Sequence, residues 1–221
     1  MNKWKKYIAL CGMLFLFPLF FLLFFGKGAT HHFSRLRYLD PAHDTLVAES
    51  NYKLPSFAFT NQHGDLITNE TLKDKVWIAA FYSLGDEHLA KITDRLLNIN
   101  FKYGSEDDIC IVVFSTDCDH DTQETMAAYT TQLTRYQAHT GKWQFLTGNQ
   151  QAMQSFIRNG FLANDLSNEA IFRLVDTEGH IRGLYGNTEY HIQDAIEDIA
   201  LLKKEIDLKK YHARKASETN N

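Results

Sequence analysis

Beyond residue 25, two stretches of the chain are apolar at every position, VWIAAFY at 76–82 and ICIVVF at 109–114. Strands apolar on both faces belong in the middle of a sheet that is covered on both sides. Shorter elements surround them. Residues 56–60 and 66–68 read as strands joined by the turn NQHGD. After the first apolar stretch comes a sharp turn at Gly85-Asp86, then a helix over 86–103, with Leu89, Ile92, Leu96 and Ile99 at spacings of three and four. Residues 76–91 thus form a strand, a turn and the start of a helix. The second stretch runs into the polar loop STDCDHDT, where Asp121 and Glu124 suit a helix cap, and then into a helix over 123–138. A strand at 142–146, a short helix at 149–158 and a strand at 170–175 follow. A turn at 176–179 and an edge strand at 180–185 complete a hairpin. The last helix, 189–206, places Ile192, Ala195, Ile196, Ile199 and Leu202 on one stripe. Its acids come early and Lys203 and Lys204 late, as the helix dipole favours. Residues 207–221 are a polar tail predicted to fray. This order predicts an α/β fold, a mixed sheet with helices on both faces.

The N-terminus follows a different pattern. Residues 7–25 are almost continuously apolar and are preceded by Lys3, Lys5 and Lys6. A run of this length just crosses a bilayer core as a helix. The lysines favour an N-terminus in the cytoplasm. Residues 1–27 therefore read as a single-pass inner-membrane anchor, one transmembrane helix with the soluble domain on the periplasmic side. A cleaved signal peptide is the alternative, although the run is longer than an ordinary signal core and GKGAT at 26–30 is a weak cleavage site. Cys11 follows Leu10 inside the run and does not suit a lipoprotein signal. Residues 28–53 show no apolar period and read as a juxtamembrane linker with little structure. Its His31 and His32 do not by themselves close a metal shell. The domain proper is expected at 54–206.

Charge narrows the partners. Residues 1–27 hold four lysines and no acid, so the remainder carries 19 basic and 27 acidic residues, a net of −8. No nucleic acid is expected as a partner, since that needs a basic face. The three cysteines, Cys11, Cys110 and Cys118, form no CxxC or CxxxC pair and no disulfide framework. Cys110 lies within an apolar strand and reads as a small core residue.

Several stretches resemble the SCO/SenC family, in the family's order. They are LPSFAFTNQHG at 54–64, residues 72–81, DCDHDT at 117–122 where family members often read DPEHDT, WQFLTG at 143–148 against the family's WxFLTG, FRLVD at 172–176 and GHIRGLY at 179–185. The resemblance covers about residues 54–205. It implies a thioredoxin-like fold, a membrane anchor and a link to assembly of the copper centre of cytochrome c oxidase. The family's copper site needs two cysteines in a CxxxC loop and a distant histidine, soft donors plus an imidazole. Laid on this chain, those positions are Gly85, Leu89 and Asn168. None of the three supplies the required donor, which makes this a degenerate copper site, and no cofactor is expected there. The cis-proline of ordinary thioredoxins is also missing, because Pro18, Pro41 and Pro55 all precede the late strands.

A relocated site is the alternative. The loops after the two central strands should open on one edge of the sheet. That would let His88, Cys118 and His120 approach one another, a workable shell for copper or zinc. Against it stands a polar loop in which Asp121 caps a helix and His120 is solvated. The acids Asp117, Asp119 and Asp121 would hold a Cys118 thiol in its protonated form. His180 and His191 read as surface residues. Two functions follow from the resemblance. One is a membrane-anchored accessory or binding module beside respiratory-chain assembly proteins, without redox chemistry and not an enzyme. The other is a copper chaperone or thiol–disulfide protein using His88, Cys118 and His120.

Overall fold

The two apolar stretches lie side by side at the middle of a mixed sheet. The computed structural model describes Trp4 and residues 35–41, 45–136, 142–163 and 172–219. The chain divides into two compact units, Met1–Ser34 and Arg35–Asn221, and every described strand lies in the second. The apolar run at 7–25, His31 and His32 fall outside the described residues. Among the described residues no helix is long and apolar enough to cross a membrane.

Strands β5 (Val76–Tyr82) and β6 (Ile109–Ser115) are parallel, with Val76 opposite Ile109 and Tyr82 opposite Ser115. Strand β7 (Trp143–Thr147) adds to β6 in parallel. Beyond it β3 (Ala58–Asn61) and β4 (Leu66–Thr68) pair antiparallel. On the other flank β8 (Phe172–Val175) runs antiparallel to β5, and β9 (Ile181–Tyr185) antiparallel to β8. The resulting order among the described residues is β4-β3-β7-β6-β5-β8-β9.

Alternation along the central strands feeds two cores. Val76, Ile78, Ala80 and Tyr82, with Ile109, Ile111 and Val113, face residues of α1 (Leu89–Tyr103), α2 (Gln123–Tyr136) and α4 (Glu189–Thr219). Trp77, Ala79, Phe81, Cys110, Val112 and Phe114 face α3 (Gln150–Gly160) and the segment bearing Leu39, Leu54 and Phe57. The predicted stripe of α4 is the buried one: Ile192, Ala195, Ile199 and Leu202 are fully covered. Asn149 caps α3 by accepting from the Ala152 amide at 2.9 Å. Helices thus cover both faces, in a thioredoxin-like arrangement.

Away from the central strands, several sequence expectations differ from the structure. The linker at 28–53 contains a hairpin, β1 (Tyr38–Asp40) on β2 (Thr45–Val47). Strands of three residues leave no readable period, and this hairpin is fixed by tertiary contacts. Arg182, on β9, donates its Nε to the Arg37 carbonyl (3.1 Å) and its Nη2 to the Leu36 carbonyl (2.8 Å). The ring of Tyr38 lies 3.9 Å from the guanidinium carbon, and Leu39 is buried. His180 is buried rather than on the surface, its Nδ1 3.2 Å from Asp176 and its ring edge-on to Tyr38. Helix α1 starts at Leu89, because the Asp86 carboxylate accepts from the His88 amide (2.7 Å) and closes a turn before the helix. Finally, 207–219 continues α4 as helix instead of fraying. That segment is rich in Lys, Ala, Arg and Leu, residues with good intrinsic helix propensity.

Candidate functional site

The parallel pairing of β5 and β6 sends both following loops to one edge of the sheet. The first loop, 83–88, leads into α1; the second, 116–122, leads into α2. Asp121 joins them. Its carboxylate accepts from the Leu84 amide through both oxygens, each at 3.1 Å, and from the Ser115 hydroxyl at 2.5 Å. Asp121 is therefore not the helix cap the sequence suggests. That role falls to Thr122, whose hydroxyl accepts from the Thr125 amide at 3.3 Å, while Asp121 is buried inward. A second tie comes from α3. Gln150 accepts from the Cys118 amide (2.5 Å) and donates to the Thr116 carbonyl (2.9 Å). Thr147 donates to the Asp121 carbonyl at 2.7 Å. The edge is a braced platform, and its braces Gln150 and Thr147 carry no signal in the sequence that marks them out.

The positions onto which the motif resemblance lays the family's ligands sit differently. Gly85 is exposed, and a Cβ there would meet only the Ser83 hydroxyl, at 4.0 Å. The backbone thus has room for a side chain. Leu89, the first residue of α1, packs against the core beneath the helix. Asn168 lies outside the described residues.

The three residues of the relocated site have separate partners. His88 is exposed, with Nε2 3.5 Å from Glu87. His120 is exposed and bonds Asp117 through Nδ1 at 2.8 Å, which raises its pKa. Cys118 turns inward, with Sγ 3.8 Å from the Ser115 carbonyl. Its thiol is pushed up chiefly by burial, with hydrogen bonds from Gly148, Thr147 and Ser115 opposing and Asp121 adding only a small part. The loop acids are thus not the main cause. Among the described residues, no three of His, Cys, Asp and Glu converge as a metal shell. Burial pushes the Cys110 thiol up to about 12.

The Asp121 carboxyl sits above its ordinary value of 3.8, because burial outweighs the hydrogen bonds from Ser115 and Leu84. A folded-state pKa above the unfolded one means that the folded chain holds this proton more tightly. The contribution is fully present below 3.8 and is lost as pH rises through the folded value. Wild-type stability measured against Asp121→Asn is therefore expected to decline as pH rises from about 4 toward neutrality. Urea unfolding of both proteins across that range checks this, and a wild-type advantage that grows with pH would contradict it.

The SCO1/SenC family model matches residues 47–204. A SCO1 protein homolog from Bacillus subtilis (strain 168) is 28% identical over 163 residues, which are 67% of this chain and 82% of that protein. The crystal structure of a SCO1/SenC family lipoprotein from Bacillus anthracis str. Ames has a TM-score of 0.59 at 25% identity, over 69% of this chain and 96% of that one. BsSco, a member of the Sco family of cytochrome c oxidase assembly proteins in which a disulfide switch has been identified, gives 0.58 at 26% identity, over 68% and 92%.

Proposed function

This chain belongs to the SCO1/SenC family, and we propose that within it the protein is a membrane-anchored binding module for respiratory oxidase assembly that works without thiol or copper chemistry of its own. One observation carries the reading. The loop edge is braced by Asp121, while the two positions onto which the motif resemblance lays the family's cysteines hold Gly85 and Leu89. Copper needs soft donors, and the side chains present at those two positions do not fit it: glycine offers no donor, and leucine is turned into the core. The surviving thiols are poor substitutes, because both are buried and shifted away from the reactive thiolate form. What the edge does present is a polar surface of His88, Glu87, Asp119 and His120, suited to docking an assembly partner. Residues 7–25 tether the domain to the inner membrane, with the platform on the periplasmic side.

Metal and thiol titration of the purified full chain tests this. The wild type is expected to take up no stoichiometric copper, and its Cys110 and Cys118 to react with a thiol reagent at least about tenfold more slowly than in the unfolded chain. Gly85→Cys/Leu89→Cys serves as the positive control, since Gly85 has room for the new side chain. It is expected to gain two reactive thiols and copper uptake. Stoichiometric uptake by the wild type that disappears in Cys118→Ala would replace this reading with the site at His88, Cys118 and His120.

A further inference from the structure

Helix α4 is 31 residues long, about 46 Å at 1.5 Å per residue, and only its first part is packed on the sheet. Beyond Ile206 each of residues 207–218 is exposed. The extension has a charge pattern unlike the rest of the domain. Residues 208–215, LKKYHARK, hold Lys209, Lys210, Arg214 and Lys215 and no acid; with Asp207 and Glu218 at its ends, 207–219 still carries four basic and two acidic residues, a net of +2, in a chain whose part beyond the anchor is net negative. Its two large apolar side chains, Leu208 and Tyr211, are 40% and 50% exposed. With Lys215 they follow spacings of three and four and so share a face. They lie off the stripe of Ile192, Ala195, Ile199 and Leu202 that meets the sheet. A helix with leucine and tyrosine on one side, flanked by lysine and arginine, suits the interface of an anionic bilayer.

Position in the fold supports the same occupant. Helix α4 begins where β9 ends and runs back along the domain to the start of β6, where Lys203 reaches Glu106 and Asp108. Its extension therefore leaves the domain at the end opposite the platform of Asp121. The chain also enters there. Arg182 bonds the Leu36 carbonyl and Glu205 of α4 through the same Nη2 atom. Only nine residues, 26–34, separate the apolar run from Arg35, a reach of about 30 Å when fully extended.

We propose that the α4 extension, 207–219, docks on the anionic lipid surface of the membrane that holds the anchor, setting the platform toward solvent. The proposal rests on residues 7–25 being that anchor, and the test separates the two. Full-length chain is mixed with neutral phosphatidylcholine vesicles and with vesicles carrying about 30% phosphatidylglycerol. Flotation on neutral vesicles reports the anchor, and amide hydrogen exchange at 207–219 reports the helix. Exchange there is expected to slow by about tenfold on the anionic vesicles relative to the neutral ones, and the slowing to vanish in high salt. Lys210→Glu/Arg214→Glu/Lys215→Glu is expected to abolish it while leaving flotation unchanged. These three sites are exposed, and Lys209 with its Glu205 pair is left in place. Equal exchange on both vesicle types overturns the proposal, as does slowing that persists in salt or in the triple variant. Failure to float on neutral vesicles removes the anchor alone. If exchange still slows on the anionic vesicles, the helix binds without it.

Discussion

Replacing Arg182 by methionine is expected to lower the unfolding free energy by about 3–5 kcal/mol. The guanidinium is fully buried, its side chain 1% exposed. It pairs with Asp176 at 3.0 Å and with Glu205 at 2.9 Å, and it donates to the backbone carbonyls of Leu36 and Arg37, just before the N-terminal hairpin. Methionine fills similar volume but leaves two carboxylates without their cation, and removing one partner of a buried pair costs far more than the intact pair contributes. Asp176 retains the amides of Glu178 and His180, and Glu205 retains Lys209 at 3.3 Å. Those partners hold the loss within the stated range. Denaturant unfolding measures it, and a loss under about 1 kcal/mol would show that the network contributes little. Arg182→Met/Asp176→Asn/Glu205→Gln is expected to recover much of the stability, because the unpaired charges are gone. The single variant should also be cut faster by protease within 45–57, since the segment leading into the hairpin then loses its two hydrogen bonds to Arg182.

Arg182 also marks where the sequence stops being informative. GHIRGLY at 179–185 reads as a strand, and nothing local says that its arginine is a buried hub. The partners are remote, Leu36 and Arg37 on one side and Glu205 on the other. The three-residue strands β1 and β2 are invisible for the same reason, since contacts with this hub, not a periodic pattern, hold them. The centre of the fold was legible because its physics is local. Uninterrupted apolar runs gave β5 and β6, and a spacing of three and four gave the inward faces of α1 and α4. At the platform, the pairing of the two loops on one edge followed from parallel strands. The direction of each side chain was not legible. Asp121 and Cys118 sit in a run of polar residues that looks solvated, yet Ser115 and Leu84 draw Asp121 inward, and Cys118 is buried as well.

The packing beneath that platform gives the second large effect. Phe114→Ala is expected to destabilise the chain by about 3–5 kcal/mol, the range for removing a buried phenylalanine. The ring is completely buried and meets six others: Phe57, Phe59, Trp77, Phe81, Phe156 and Phe161, with centroids 5.2–6.3 Å away. These rings come from β3, β5, α3 and the loops beside them, so no single element can shift to fill the space. Poor collapse leaves a larger residual cavity and places the cost toward the top of the range. Phe114→Leu keeps most of the volume and should lose less than about 2 kcal/mol. Urea unfolding of both variants checks the pair, and near-equal losses would mean that the cluster relaxes around either residue. The consequence for the site is local. Phe114 directly precedes Ser115, which holds Asp121, which in turn holds the Leu84 amide. A cavity at Phe114 should therefore speed hydrogen exchange at Leu84 and Cys118 more than at the α4 amides, which pack on the other face of the sheet. Uniform acceleration would show instead that the platform opens only by global unfolding.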